Sequence, residues 1–286
     1  AAARLEHDGR LIFVGAGTAF GKTEDLVPAL EASIDENGVF HSHLFGSEGM
    51  HAINPLWLLK GLSNNVLGFA SADLDARGMN QNYCNSGVSG LQAIGEAAWS
   101  IEEGTADAII AGGADSAANP EHFTGFGRLA MLSSSPGPDA ARPFDQRRDG
   151  FVPGEGAAFF CLESRAHAEA RGARVYARLV GYGNACGANT LPSGCPDAIA
   201  SACRAALRVA GWTPEQVDVV YAHASATQSF DKAEAEGLLK VFGARTPPIT
   251  TPKAQIGHAL AAAGALAVVC ALEGARRGVI PAIANL

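Results

Sequence analysis

One cysteine and two histidines stand in settings that suit chemistry. Cys84 lies in Asn82-Tyr83-Cys84-Asn85-Ser86-Gly87, directly ahead of a helix-like stretch. His223 lies in Ala222-His223-Ala224-Ser225-Ala226-Thr227, and His258 in Lys253-Ala254-Gln255-Ile256-Gly257-His258. A thiolate is a strong nucleophile, and the partial positive charge of a following helix start favours it. With histidines beside it, such a thiol suits nucleophilic catalysis on an acyl group. His223 comes 139 residues after Cys84 and His258 another 35 residues on, so a fold must bring them together.

The other candidates read more plainly. Cys161 and Cys270 lie in apolar runs and read as core, while Cys186, Cys195 and Cys203 carry no motif. His41 and His43 are two apart but lack a third ligand, so a solvated loop is expected there and no metal. The glycine-rich run near residue 150 lacks the order of a phosphate-binding loop.

The elements that must position these residues alternate. Residues 11–14, 79–84, 106–111, 156–162, 175–182 and 217–222 read as extended, and 86–103, 197–210, 231–242 and 257–277 as helical. Residues 55–69 read as partly helical and 114–146 as loop. Thr213-Pro214 gives a helical N-cap followed by proline at the first position. This βα order predicts an α/β chain with mostly buried strands. Cys84 and His223 each follow a strand and precede a helix, which suggests two similar halves, about 1–165 and 166–286, within one domain.

Composition sets outer bounds. The 286 residues are 48% hydrophobic and 17% charged, enough for a substantial core. A net charge of −8 without a Lys/Arg run disfavours nucleic acid and anionic membranes as partners. No apolar run reaches membrane-span length and no signal-peptide pattern opens the chain. Six cysteines without a CxxC pair read as thiols in a reducing cytoplasm.

These segments resemble the β-ketoacyl synthase family of the thiolase fold. Residues 142–158, RPFDQRRDGFVPGEGAA, follow its PFDxxRDGFVxGEGAA signature, and Lys253, Gly257, His258, Ala262, Ala263 and Gly264 follow KSxxGHxxxAAG, with Ala254 in place of the serine. Two departures stand out. The family's HGTGT is here His223-Ala224-Ser225-Ala226-Thr227, with alanine at both glycine positions, and the asparagine before the aspartate is Phe230.

The resemblance implies a layered αβαβα fold of two pseudo-repeated halves, with parts of both ends of the family pattern outside this chain. It implies an acyl group on Cys84, histidines 223 and 258 supporting a decarboxylative Claisen condensation, and Lys253 paired with Glu234. Asp231 falls on a supporting position, and Ser225 and Thr227 on positions that touch the phosphopantetheine arm. Asp145, Arg148, Asp149 and Glu155 read as structural charges that hold their loop. No dissociable cofactor is implied, since phosphopantetheine arrives on an acyl carrier protein. The expected partners are that carrier and a second subunit, in a homodimer or a heterodimer with a ketosynthase-like chain-length factor. The alternatives are a non-elongating acyltransferase and a non-catalytic chain-length-factor-like subunit.

Overall fold

A computed structural model describes residues 10–17, 23–188 and 192–286. Four strands form the main sheet: β1 (Leu11–Ala16), β2 (Asn80–Tyr83), β3 (Ala108–Ser116) and β4 (Glu155–Glu163). Their order is β2-β1-β3-β4, with β4 antiparallel to β3 and the other pairs parallel. A second, two-stranded parallel sheet pairs β5 (Val220–Tyr221) with β6 (Ile249–Thr250). The longer helices are α1 (Asn65–Asp73), α2 (Ser89–Glu102), α3 (Pro120–Arg128), α4 (Pro196–Ala210), α5 (Gln228–Phe242) and α6 (Ala263–Arg277).

β1 explains the layering. All six of its residues are buried, so alternate side chains feed both faces of the sheet. Leu11 and Phe13 pack with Ala93, Ile94 and Ala97 of α2 and Ala265 of α6. Ile12, Val14 and Ala16 pack on the other face, against Ala76 and, from α1, Leu67 and Ala70. Each large side chain fully buried here contributes about 1.5–3 kcal/mol.

The structure departs from the sequence reading at several elements. Residues 175–182 form no strand. Their apolar alternation suits a sheet, but Val175, Tyr176 and Leu179 are 60%, 71% and 46% exposed, and they ladder with no strand among the described residues. The strand expected at 217–222 shrinks to β5. The helix expected from residue 257 starts at Ala263, because Gly257 (φ 74°) and Leu260 (φ 39°) turn the chain out of the helical path. The expected loop 114–146 contains α3, capped by the Asn119 side chain with Pro120 in the first turn. β4 is not buried, as its residues alternate between exposed and covered. Cys161, expected in the core, lies on this strand and is exposed. No disulfide forms among the described cysteines, and no described helix is long and apolar enough to cross a membrane.

Candidate active site

Cys84 leaves the end of β2 and enters a tight turn. Ser86 takes a positive φ of 53°, Ser86–Val88 make one 3-10 turn, and α2 starts at Ser89. The buried Ser89 hydroxyl fixes this turn. It accepts the Asn85 N–H at 2.8 Å and donates to the Ser86 carbonyl at 2.8 Å. The Asn85 amide donates to the Gln92 side chain.

Both histidine rings lie against this turn. A Cβ placed on Gly87 would sit 3.5 Å from Cε1 of His258 and 3.7 Å from Cε1 of His223. Gly90 and Gly113 explain the close approach. A Cβ on either would come within 2.6 Å of the Ala261 carbonyl oxygen, so glycine lets α2 and β3 touch the turn that follows His258. Asp115 ties that turn down by accepting the Ala261 N–H at 3.0 Å.

His258 is held from three sides. Its N–H donates to the Val152 carbonyl (2.8 Å) and its carbonyl accepts the Gly154 N–H (3.1 Å). The GFVPGEG segment is therefore a backbone rail for this histidine. The Leu260 N–H donates to His258 Nδ1 at 3.1 Å, so Nδ1 carries the lone pair and the ring proton sits on Nε2. Burial first, then the nearby His223 and Lys253, hold its pKa well below the ordinary histidine value. His258 is thus neutral and presents an Nε2–H donor.

His223 stands edge-on to it, with ring centroids 5.1 Å apart and planes at 73°. Glu234 orients its backbone, accepting the N–H groups of His223 (2.6 Å) and Ala224 (2.7 Å). Partial desolvation of the ring and then Lys253 hold the His223 pKa below the ordinary histidine value. The residue nonetheless keeps an exposed face, and water there softens that depression without reversing it.

The alanine-for-glycine departures leave the backbone path glycine-like. Ala224 has φ 43° and Ala226 φ 66°, and both methyls are buried. Asp231 secures the turn. It accepts the Ala226 N–H (3.0 Å), the Ser225 hydroxyl (3.3 Å) and the Phe144 N–H (2.8 Å), with Arg148 at 3.8 Å. Arg148 also donates to the carbonyls of Asp145, Thr227 and Gln228. Asp149 accepts from Ser133 and Ser134, and Glu155 from Ser116. Arg148 and Asp149 hold their loop, as the sequence indicates, whereas Glu155 is exposed at the start of β4 and ties it to the end of β3.

The remaining expected residues divide. Ser225 and Thr227 are buried, with hydroxyls 2.9 Å apart, and Thr227 caps α5. Their hydroxyls are engaged within the turn. Lys253 is buried near Glu234 and Asp231, but makes no ion pair with Glu234 within 4.0 Å. The expected contact is a charge coupling at longer range. Burial lowers the Lys253 pKa to about 8, opposed by Glu234 and then Asp231, so it stays mostly charged at neutral pH. Burial raises both acids, against the N–H groups they accept.

The site is more open than a buried pocket. His258 is 5% exposed, but Cys84 and His223 both reach the surface of this chain. Sequence reading missed its aromatic wall. Phe151 lies 5.2 Å from the His258 ring, and Phe126 lies 5.1 Å from Phe151. Phe151 sits inside the RPFDQRRDGFVPGEGAA run, but nothing in the sequence said which way its ring turns. No group of three metal-ligating side chains gathers among the described residues.

Comparison with known proteins identifies the family. Residues 6–168 match the family model for the β-ketoacyl synthase N-terminal domain and residues 176–286 that for its C-terminal domain. A 3-oxoacyl-[acyl-carrier-protein] synthase 2 of Coxiella burnetii is 36% identical over 246 residues, covering 84% of this chain and 59% of the relative. A solved type II polyketide synthase ketosynthase, bound to a hexaketide in complex with its acyl-carrier protein, superposes with a TM-score of 0.81. It is 30% identical, over 94% of this chain and 66% of its own. The ishigamide ketosynthase/chain length factor superposes at 0.80 with 26% identity, over 97% and 66%. The chain thus spans about three fifths to two thirds of the length of these proteins. Its fold is thiolase-like, and the chain belongs to the β-ketoacyl synthase family.

Proposed function

We propose that this chain carries the reacting groups of a decarboxylative Claisen condensation. The observation that carries the reading is the pair of neutral, edge-on histidine rings against the Cys84 turn, with the proton of His258 fixed on Nε2. The Cys84 thiolate attacks the carbonyl of an acyl thioester, and the carrier thiol leaves. A malonyl thioester then binds with its carbonyl oxygen facing the histidines. Its carbon–carboxylate bond breaks, CO2 departs, and the electron pair moves into an enolate whose oxygen the N–H donors stabilise. The enolate carbon attacks the acyl group on Cys84. A carbon–carbon bond forms, the carbon–sulfur bond breaks, and a 3-ketoacyl thioester leaves with the thiolate regenerated. Lys253 and Glu234 support the histidines through charge and backbone, and Asp231 holds the turn that carries His223.

The partners follow from the same reading. Phosphopantetheine enters on an acyl carrier protein, so no dissociable cofactor is proposed. A relative named for the acyl carrier protein and a ketosynthase solved with one support that partner. A neighbour described as a ketosynthase/chain length factor supports a second, ketosynthase-like subunit, and the exposure of Cys84 in the single chain is consistent with one covering it. Cysteines outside disulfides support a reducing, cytoplasmic setting.

The working chain, given an acyl-carrier-protein thioester and malonyl-carrier protein, should release CO2 and form the 3-ketoacyl thioester. Acyl transfer without CO2 would mean a non-elongating transferase. Neither reaction, from a folded protein with its partner subunit present, would mean a non-catalytic subunit.

A further inference from the structure

A row of rings in mutual contact joins α3 to the catalytic histidines. His122 stacks on Phe126, with centroids 5.8 Å apart and planes at 12°. Phe126 meets Phe151 edge-on at 5.1 Å, and Phe151 tilts against His258 at 5.2 Å. The α3 end of the row walls a cavity of about 250 Å3, lined also by Ser86, Leu129 and Leu260. Ser86 is two residues from Cys84, and the Leu260 N–H is the group that fixes the His258 tautomer. The cavity therefore abuts both reacting turns. At about 30 Å3 per small heavy-atom group it has room for roughly eight non-hydrogen atoms.

The two phenylalanines differ in how firmly they are held. Phe151 is 3% exposed, and its backbone is pinned on both sides, by the Met131 carbonyl (2.9 Å) and the Ser133 N–H (3.0 Å). Phe126 is half-buried on a helix with glycine at both neighbouring positions, Gly125 and Gly127. Neither glycine has any atom against the place a Cβ would take. Phe126 lines the cavity and is the less covered of the two rings, so it is the one a ligand there would meet, and Phe151 is the firmly held contact that would pass its position on.

We propose that Phe126 is a positioning residue that transmits the filling of this cavity to the His258 ring through Phe151. The proposal rests on the reading above, in which an acyl group is held beside Cys84. A short hydrocarbon chain in the cavity presses Phe126 against Phe151 and steadies His258, so that its Nε2–H is aimed when the malonyl carbonyl arrives. An empty cavity leaves the stack looser. Decarboxylation would then follow acyl loading instead of running idle.

The test uses hexanamide, which fits the volume and does not acylate the thiol. Nuclear magnetic resonance of the His258 ring in labelled full-length protein is followed as hexanamide is added. The wild type should show a saturable shift of the His258 Cε1–H signal. Phe126→Leu should lose at least three quarters of that shift and Phe126→Tyr should keep it, with Phe126→Met as a second ring-free variant should the leucine protein not fold. No saturable shift in the wild type, or a full shift in a folded ring-free variant, overturns the proposal. Loading of Cys84 is measured separately by intact mass, so loss of acylation with the shift intact would overturn the condensation reading alone.

Discussion

At the scale of single residues, the account turns on His258 being buried and neutral. Its folded pKa lies below the ordinary value of about 6.5, so the unfolded chain binds the extra proton first. Stability is then present above about pH 6.5 and is lost as pH falls below it, by about 1.4 kcal/mol per pH unit per such proton. His258→Gln removes this proton. Between pH 6 and 5 its unfolding free energy should fall less steeply than the wild type's, by up to about that slope. Equal slopes in urea melts at the two pH values would show that His258 is not held neutral. The alanines at 224 and 226 give a quieter expectation. Positive φ costs an alanine about 1–2 kcal/mol. Replacing it with glycine loses a buried methyl, about 0.8 kcal/mol, and adds about 0.4–1 kcal/mol of chain entropy to be lost on folding. The terms nearly cancel, so Ala224→Gly and Ala226→Gly should each change stability by less than about 1 kcal/mol. A larger gain would mean the turn is strained beyond its φ angles.

Among the elements, what matters is how closely α2, β3 and the turn after His258 approach one another. Alanine is the better helix former by about 1 kcal/mol, yet a methyl on Gly90 would meet the Ala261 carbonyl oxygen at 2.6 Å. Backbone cannot swing aside as a side chain can, so overpacking, about 1–3 kcal/mol or more, should win. A contact as short as 2.6 Å to backbone takes the upper part of that range, so Gly90→Ala should lower the urea midpoint by the equivalent of about 1–2 kcal/mol net without changing the slope, and slow acyl transfer. An unchanged midpoint would contradict the packing described. This scale is also where the sequence was least legible. Residues 175–182 alternate like a strand, but a strand needs a ladder, and alternation cannot reveal a missing neighbour. Gly125 and Gly127 in its second half hide α3, although Asn119-Pro120 announces its start. Alanine-rich spacing continues back through Leu260 and extends the helical pattern past the true start of α6, because no local pattern betrays the positive φ of Leu260. Cys84 and the two histidines were legible because each sits in a run whose residue order is distinctive. Their convergence depends on glycine contacts between segments remote in sequence.

For the whole molecule, the sheet and its two helical faces serve to bring three distant turns to one place. The central claim is that this place exists to load an acyl group on Cys84. Intact-mass analysis of the working chain after incubation with acyl-carrier proteins bearing acyl groups of graded length tests it most directly. The account predicts one added acyl mass per chain, mapped to Cys84 and absent from a folded Cys84→Ala protein. It predicts preference for chains that fit the cavity of about 250 Å3. An acyl mass retained by Cys84→Ala, or no added mass on the wild type at any chain length with its partner subunit present, would contradict it.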